Sequence, residues 1–272
     1  MAVAVREDGA AGSVPSVPWE RVQERLERDF RPGMHVTAIG PTGAGKSHAL
    51  LAVADVANHW TFALAAKRRD PLLESLIGSG YAPIDSVREV VWADAHPIER
   101  RYLYWPKASV KDEELEQLAW LAKKMREALK FVSTTESWVV LIDELQLFVR
   151  DLSLGRELSS YYRQWRTQGC SILGGGQRPT HVPLEALNQC SYLLIWQTSD
   201  ERDLERLSEI SGGFSRQLIA RAVASLDFTA HELLFVDVRR RQLARTVAPA
   251  RSTVTRLSSQ HAPRERGAKA RR

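Results

Sequence analysis

Apolar residues fall at Trp19, Val22, Leu26 and Phe30, the spacing that lays one stripe along a short amphipathic helix. The spacing then tightens. Residues 35–40 form a short β-type run closed by glycine, and 45–59 return to helix character with Leu50, Leu51, Val53, Ala54 and Val56. Residues 60–66 predict a second strand and 70–78 a helix after it, while 87–92 and 102–105 predict two more short strands. The longest expected helix is 111–131, its stripe made by Leu115, Leu118, Leu121, Met125 and Leu129. Residues 137–142 read as a buried strand and 153–167 as a helix. A strand begins at 171–173, another spans 192–196, and 200–210 read as a helix. Residues 232–238 and 241–247 read as a closing hairpin.

This alternation predicts an α/β fold, a mainly parallel sheet with helices on both faces. Residues 1–18, interrupted by Pro15 and Pro18, and 251–272, which lack periodicity, are expected to be disordered. That leaves one domain over 19–250, in keeping with a chain of 272 residues. No apolar stretch approaches the ~18 residues of a membrane span, and no secretory pattern opens the chain, so a cytoplasmic location is expected. Cys170 and Cys190 are too few for a disulfide framework, and both are expected to be small buried core residues.

The net charge of +5 hides an asymmetry. Residues 239–272 hold eleven Lys and Arg and one acid, Glu265, a net of +10 that leaves −5 on the rest. A basic tail on an acidic body points to a polyanionic partner, nucleic acid first and an anionic membrane second, or to a tail that only aids solubility.

Gly40-Pro41-Thr42-Gly43-Ala44-Gly45-Lys46-Ser47 matches G-x-x-x-x-G-K-[ST], after a β-type run and at the opening of a helix. Glycines let backbone N–H groups wrap a phosphate, and the helix N-terminus adds partial positive charge. Lys46 is placed to reach the β- and γ-phosphates of ATP, and Ser47 to hold Mg²⁺. A metal ligand is also needed from a neighbouring strand. Five apolar residues, 138–142, lead to Asp143 and Glu144. Asp143 is expected in the Mg²⁺ shell, and Glu144 as the base that orients and deprotonates water. The chemistry expected is ATP hydrolysis.

Residues 166–179 then read Arg-Thr-Gln-Gly-Cys-Ser-Ile-Leu-Gly-Gly-Gly-Gln-Arg-Pro. Together with the phosphate loop and the acidic pair, this resembles the FtsK–HerA class of DNA-pumping ATPases, over about 35–247. The resemblance implies a RecA-like sheet with one strand between those carrying the two nucleotide motifs. It also implies double-stranded DNA as the substrate and a ring of like subunits, a hexamer. Carried over by residue, Gln177 resembles the polar sensor of the γ-phosphate or attacking water, with a strand-capping amide as the alternative. Arg166 resembles the arginine finger that reaches a neighbour's ATP, with Arg150, Arg156 and Arg163 as competitors. Arg178 is similar to a position facing DNA in the pore, and a structural salt bridge is the alternative. Lys67 and Asp70 after the second strand also resemble that class.

One departure is Gly176, where the class has Thr; Gly174, Gly175 and Gly176 are expected to make the strand end flexible. The size resembles that of packaging ATPases of internal-membrane phages. Viral genome packaging in the host cytoplasm, with virion association, is therefore the leading expectation, and plasmid or chromosome transfer the next. An assembly or secretion ATPase resembling filamentous-phage export proteins is a further alternative, with capsid or membrane proteins as partners. Glu144 argues against a switch that scarcely hydrolyses. Residues 210–217 resemble the ABC signature, but they follow Asp143 rather than precede it and read as a helix-ending turn.

Overall fold

His35–Ile39 (β1) is buried along its whole length, and the sheet grows from it on both sides. The computed structural model describes residues 14–57, 59–67, 71–93, 96–107, 113–210 and 214–250. The disorder expected of 1–13 and of the basic tail 251–272 lies outside them, as do Asp70 and part of the signature-like stretch.

Before β1 runs α1 (Trp19–Asp29), and after it α2 (Lys46–Ala57), β2 (Thr61–Leu64), α3 (Pro71–Gly78) and β3 (Ala82–Ile84). A small hairpin follows, β4 (Trp92–Ala93) with β5 (His96–Pro97), then β6 (Arg101–Tyr104), α4 (Glu114–Thr135) and β7 (Val139–Ile142). A π-helical turn over Leu147–Asp151 leads into α5 (Gly155–Gln164), β8 (Ser171–Gly176), α6 (Leu184–Asn188) and β9 (Cys190–Trp196). The chain ends with α7 (Glu201–Ile210), α8 (Arg216–Ala224), β10 (Glu232–Asp237) and β11 (Gln242–Val247).

The nine-stranded sheet has the order β11-β10-β9-β1-β8-β7-β2-β6-β3. Strands β9 through β3 in that order are parallel, and β10 and β11 add antiparallel to the β9 edge. Strand β8 thus lies between β1 and β7, as the resemblance implied. Apolar residues cover both faces: Leu50 and Leu141 belong to one core, Tyr162 and Trp165 to the other. The two cysteines are free and buried, as expected of them.

Several expectations need correction. Residues 14–18 are ordered: Val17 N–H donates to the Arg245 carbonyl, Arg245 N–H donates to that of Pro15, and Ser16 bridges Arg245. The strand expected over 87–92 is mostly a 3-10 turn over Val87–Glu89. There Ser86 Oγ accepts from Arg88 N–H and Glu89 Oε1 from Ser86 N–H, a local capping box that outcompetes extension. The stripe on α4 is buried only from Met125 onward. Leu115 is 79% exposed at the first turn, and Leu118 and Leu121 pack half-buried against the core. Strand β3 and helices α6 and α8 were not foreseen; β3 and α6 are too short to show a period, while α8 carries one, with Leu218, Ile219, Ala222 and Val223 on one face.

His35 ties β1 to β8. Its Nδ1 accepts from Ile172 N–H at 3.0 Å and its Nε2–H donates to the Tyr162 carbonyl at 3.1 Å, an arrangement met only by the neutral ring. Burial lowers its pKa to about 4, with the Arg166 charge adding to the effect against the Tyr162 carbonyl. Since the folded value lies below the unfolded 6.5, the unfolded chain takes up the proton first. Stability conferred by the neutral ring is full above 6.5 and falls as pH drops toward 4, by on the order of 3 kcal/mol. Urea melts between pH 7 and 4 should show that loss. His35→Gln, which cannot titrate, should flatten it; an unchanged slope would assign acid sensitivity to other groups.

Candidate active site

The phosphate loop sits where parallel strands converge at their carboxyl ends, between β1 and the first turn of α2. Gly43 and Gly45 have φ of +82° and +101°, which lets the backbone turn inward. A Cβ at Gly43 would meet nothing within 4 Å, so the loop is open on that side. Gly40 is needed for closeness instead: a Cβ there would lie 2.5 Å from Trp196 Cβ on β9. Lys46 Nζ donates to the Pro41 carbonyl at 2.8 Å across the loop. Its pKa is lowered, by burial first, while Asp143 and Glu144 oppose that shift and Lys67 adds to it.

Asp143 leaves the end of β7 and accepts from Ser47 Oγ through Oδ1 at 2.5 Å. A hydroxyl and a carboxylate in contact at the lip of a phosphate cradle suit Mg²⁺, which takes few protein oxygens and completes its shell with water and phosphate oxygens. Glu144 follows. Its Oε1 accepts from Gln177 Nε2 at 3.1 Å, and its Oε2 is ion-paired with Lys67 Nζ. Gln177 comes from the end of β8, so three strand ends bring together the phosphate loop, the acidic pair and the amide. Lys46, Ser47, Asp143, Glu144 and Gln177 are gathered as the motifs suggested, and Lys67 joins them. A cavity of about 40 Å³, lined by Asp143, Glu144, Leu72, Leu147 and Phe148 among others, adjoins the carboxylates and has room for a few waters.

Glycines 174–176 are not a flexible strand end. All three are fully buried in β8 and tightly approached. A Cβ on Gly174 would lie 2.6 Å from Leu145 Cδ1, one on Gly176 2.5 Å from Val182 Cγ1, and one on Gly175 would collide with the Asp143 carbonyl oxygen. At Gly175 glycine is required because the backbone just after β7, at Asp143, lies directly against β8.

Two arginines fall elsewhere than expected. Arg166 lies in the turn after α5 rather than on the helix, five residues before β8 begins, and its carbonyl packs against Gly33 just before β1. It therefore stands at the amino-terminal edge of the sheet, about 20 Å of strand away from the phosphate loop. Arg150, on the π-helical turn after Glu144, is exposed and nearer the carboxyl edge. Arg163 is paired with Glu185 at 2.6 Å. Arg178 takes the salt-bridge alternative: Nη2 meets Asp200 Oδ2 at 2.5 Å and Nε meets Asp203 Oδ2 at 2.8 Å, fastening β8 to the start of α7.

No protein-family model matches the chain, and no characterised protein matches it by sequence. Solved structures do match. The crystal structure of B204, the DNA-packaging ATPase from Sulfolobus turreted icosahedral virus, superposes with a TM-score of 0.55 at 16% identity, covering 81% of this chain and 100% of that one. This chain shares the fold of that structure. The genome-packaging NTPase B204 of Sulfolobus turreted icosahedral virus 2, in complex with AMPPCP, matches with a TM-score of 0.52 at 13% identity over 79% of this chain and 98% of its own. VirB4 of Thermoanaerobacter pseudethanolicus matches with a TM-score of 0.51 at 13% identity over 79% and 89%. All three share the P-loop NTPase architecture seen here. Among the described residues no helix is long and apolar enough to cross a membrane.

Proposed function

We propose that this chain is an ATPase that drives double-stranded DNA through a ring of its own copies. Viral genome packaging is the leading role and plasmid or chromosome transfer the second. The observation that carries the reading is Glu144, bonded to Gln177 beside the Asp143–Ser47 pair at the mouth of the phosphate loop. A base next to a metal-type pair suits water attack on a γ-phosphate. Mg²⁺, when bound at Ser47 and Asp143, would neutralise charge on the β- and γ-phosphates. Lys46 grips those phosphates, Glu144 accepts the proton of the attacking water, and Gln177 orients it. The fold shared with B204 supports DNA as the substrate, as does the +10 charge of 239–272. Location in the host cytoplasm, and capsid or membrane contact by the tail, belong to the same proposal.

The test is ATP turnover with and without duplex DNA, across a salt series. A several-fold rise that fades with salt, as releasing counterions into a more concentrated solution gains less entropy, supports the reading. No response to duplex would favour an export or assembly ATPase. The ring is tested with mixed subunits. Arg166→Ala and Arg150→Ala are each mixed with Lys46→Ala, since a finger acting on a neighbour is worth on the order of 10³–10⁵ in rate. Activity should return in the mixture that pairs an intact loop with an intact finger. Recovery with Arg150→Ala alone would displace Arg166, whose place at the far edge of the sheet makes Arg150 its main rival.

A further inference from the structure

Part of the basic stretch 239–272 belongs to the folded domain rather than to a tail. Arg239, Arg240 and Arg241 make the tip of the β10–β11 hairpin, and Arg245 lies on β11 itself. The hairpin turns at the amino-terminal edge of the parallel strands, near the start of β9, where Asp237 pairs with Tyr192. The six residues of β11, roughly 20 Å of strand, separate this tip from the edge that carries the phosphate loop. These arginines therefore take no part in the chemistry at Glu144.

The tip is held in place by buried charge. Arg25 of α1 is buried and donates through Nη2 to Asp237 Oδ2 at 2.7 Å. Arg240 N–H donates to Asp237 Oδ1 at 2.9 Å, and the Arg240 guanidinium pairs with Asp29 at the end of α1. Arg28 closes on Asp29 as well, at 3.1 Å. Arg240, and after it Arg28, hold the Asp29 carboxyl well below the usual carboxylate range against the opposing effect of burial. Two carboxylates thus fix the turn against the last turn of α1 and leave a surplus of cations. Residues 21–31 and 237–241 together hold seven arginines and four acids. Of those acids, Glu24 is paired with Arg21 and Glu27 accepts from Gln23. Arg28, Arg31, Arg239, Arg240 and Arg241 are exposed. Local physics opposes this sequence: Arg241 has φ of +53°, the left-handed region that favours glycine, and three like charges stand side by side in one turn. Stability alone would place Asn, Asp or Gly there.

We propose that this turn, with Arg28 and Arg31 beside it, grips the phosphate backbone of duplex DNA at the edge of the subunit opposite the nucleotide. The proposal rests on the DNA reading above. Guanidinium groups meet phosphate oxygens through paired, charge-assisted hydrogen bonds. A membrane-binding tip needs apolar side chains to enter the bilayer; here Val238 is half-buried and the rest of the turn is arginine, which favours nucleic acid. Backbone contacts of this kind read no sequence, which suits a substrate that has to move past them.

The experiment uses the full chain and three variants: Arg239→Gln with Arg241→Gln, Arg239→Lys with Arg241→Lys, and Arg241→Gly. Arg240 is kept because it holds the turn. Duplex affinity is read by fluorescence anisotropy across a salt series, beside melting midpoint, DNA-independent ATP turnover and binding to phosphatidylserine vesicles. The double Gln variant should bind duplex several-fold more weakly, with a log–log salt slope flatter by about two, and turn over ATP at the wild-type basal rate. The double Lys variant should keep the slope. Arg241→Gly should weaken duplex binding without lowering the melting midpoint, because glycine suits the backbone there; an arginine kept for structure would give the reverse. A wild type that binds duplex, with the double Gln variant unchanged in affinity and slope, would overturn this site and leave the DNA reading standing. A wild type that ignores duplex would overturn both. Loss confined to vesicle binding would assign the turn to a membrane surface and overturn the proposal.

Discussion

Glu144→Gln is expected to bind ATP as the wild type does and to hydrolyse it more slowly by a factor on the order of 10²–10⁴, the usual contribution of a positioned base. The substitution is close to isosteric. The amide oxygen can still accept from Gln177 Nε2, and Ser47 and Asp143 are untouched, so the site should stay assembled. What is removed is the ability to take a proton, together with the charge that pairs with Lys67. Lys46→Ala should fail in the other way, by losing nucleotide affinity, because its ammonium is the cation placed within the loop itself. Equilibrium binding of a fluorescent ATP analogue and steady-state phosphate release separate the two. Turnover by Glu144→Gln near that of the wild type would force a search for another carboxylate.

Gly175→Ala is expected to damage both stability and catalysis. The added methyl would be driven into the carbonyl oxygen of Asp143, a backbone atom with no rotamer to yield. Overpacking of this kind costs about 1–3 kcal/mol, which lowers the melting midpoint by several degrees in a domain of this size. Relief requires the segment after β7 to lift away from β8, and that segment carries Asp143 and Glu144. Turnover should therefore fall by more than the lost stability explains, measured at a temperature where the variant is fully folded. A midpoint and rate equal to the wild type would return this strand end to the flexible role that glycine content alone suggested.

The glycines show where sequence reasoning runs out. Three in a row at a strand end mean freedom when only local conformation is considered. They mean contact once β7 and β8 are paired, since the atoms that forbid a side chain come from Asp143, Leu145, Tyr162 and Val182. Arg166 is a similar case. Its distance along the chain from Gln177 matches a spacing, but β8 runs between them and carries them to opposite edges of the sheet. Arg178 was open to two readings until Asp200 and Asp203 closed on it.

What the sequence determined by itself was the chemistry and the fold class. Gly43, Gly45, Lys46 and Ser47 are set by a local turn at a helix start, and Asp143 and Glu144 by a run too apolar to be anything but a buried strand. Such signals survive because they are local: backbone angles, a helix N-terminus and burial on both faces need no distant partner. Tertiary structure alone decided which strand ends adjoin, and so which side chains meet Glu144. The pairing of β2 with β7 and of β7 with β8 brings Lys67 and Gln177 to one carboxylate from opposite sides. Strand order is a choice among long-range pairings, made by the whole sheet at once, and no stretch of residues read in isolation contains it.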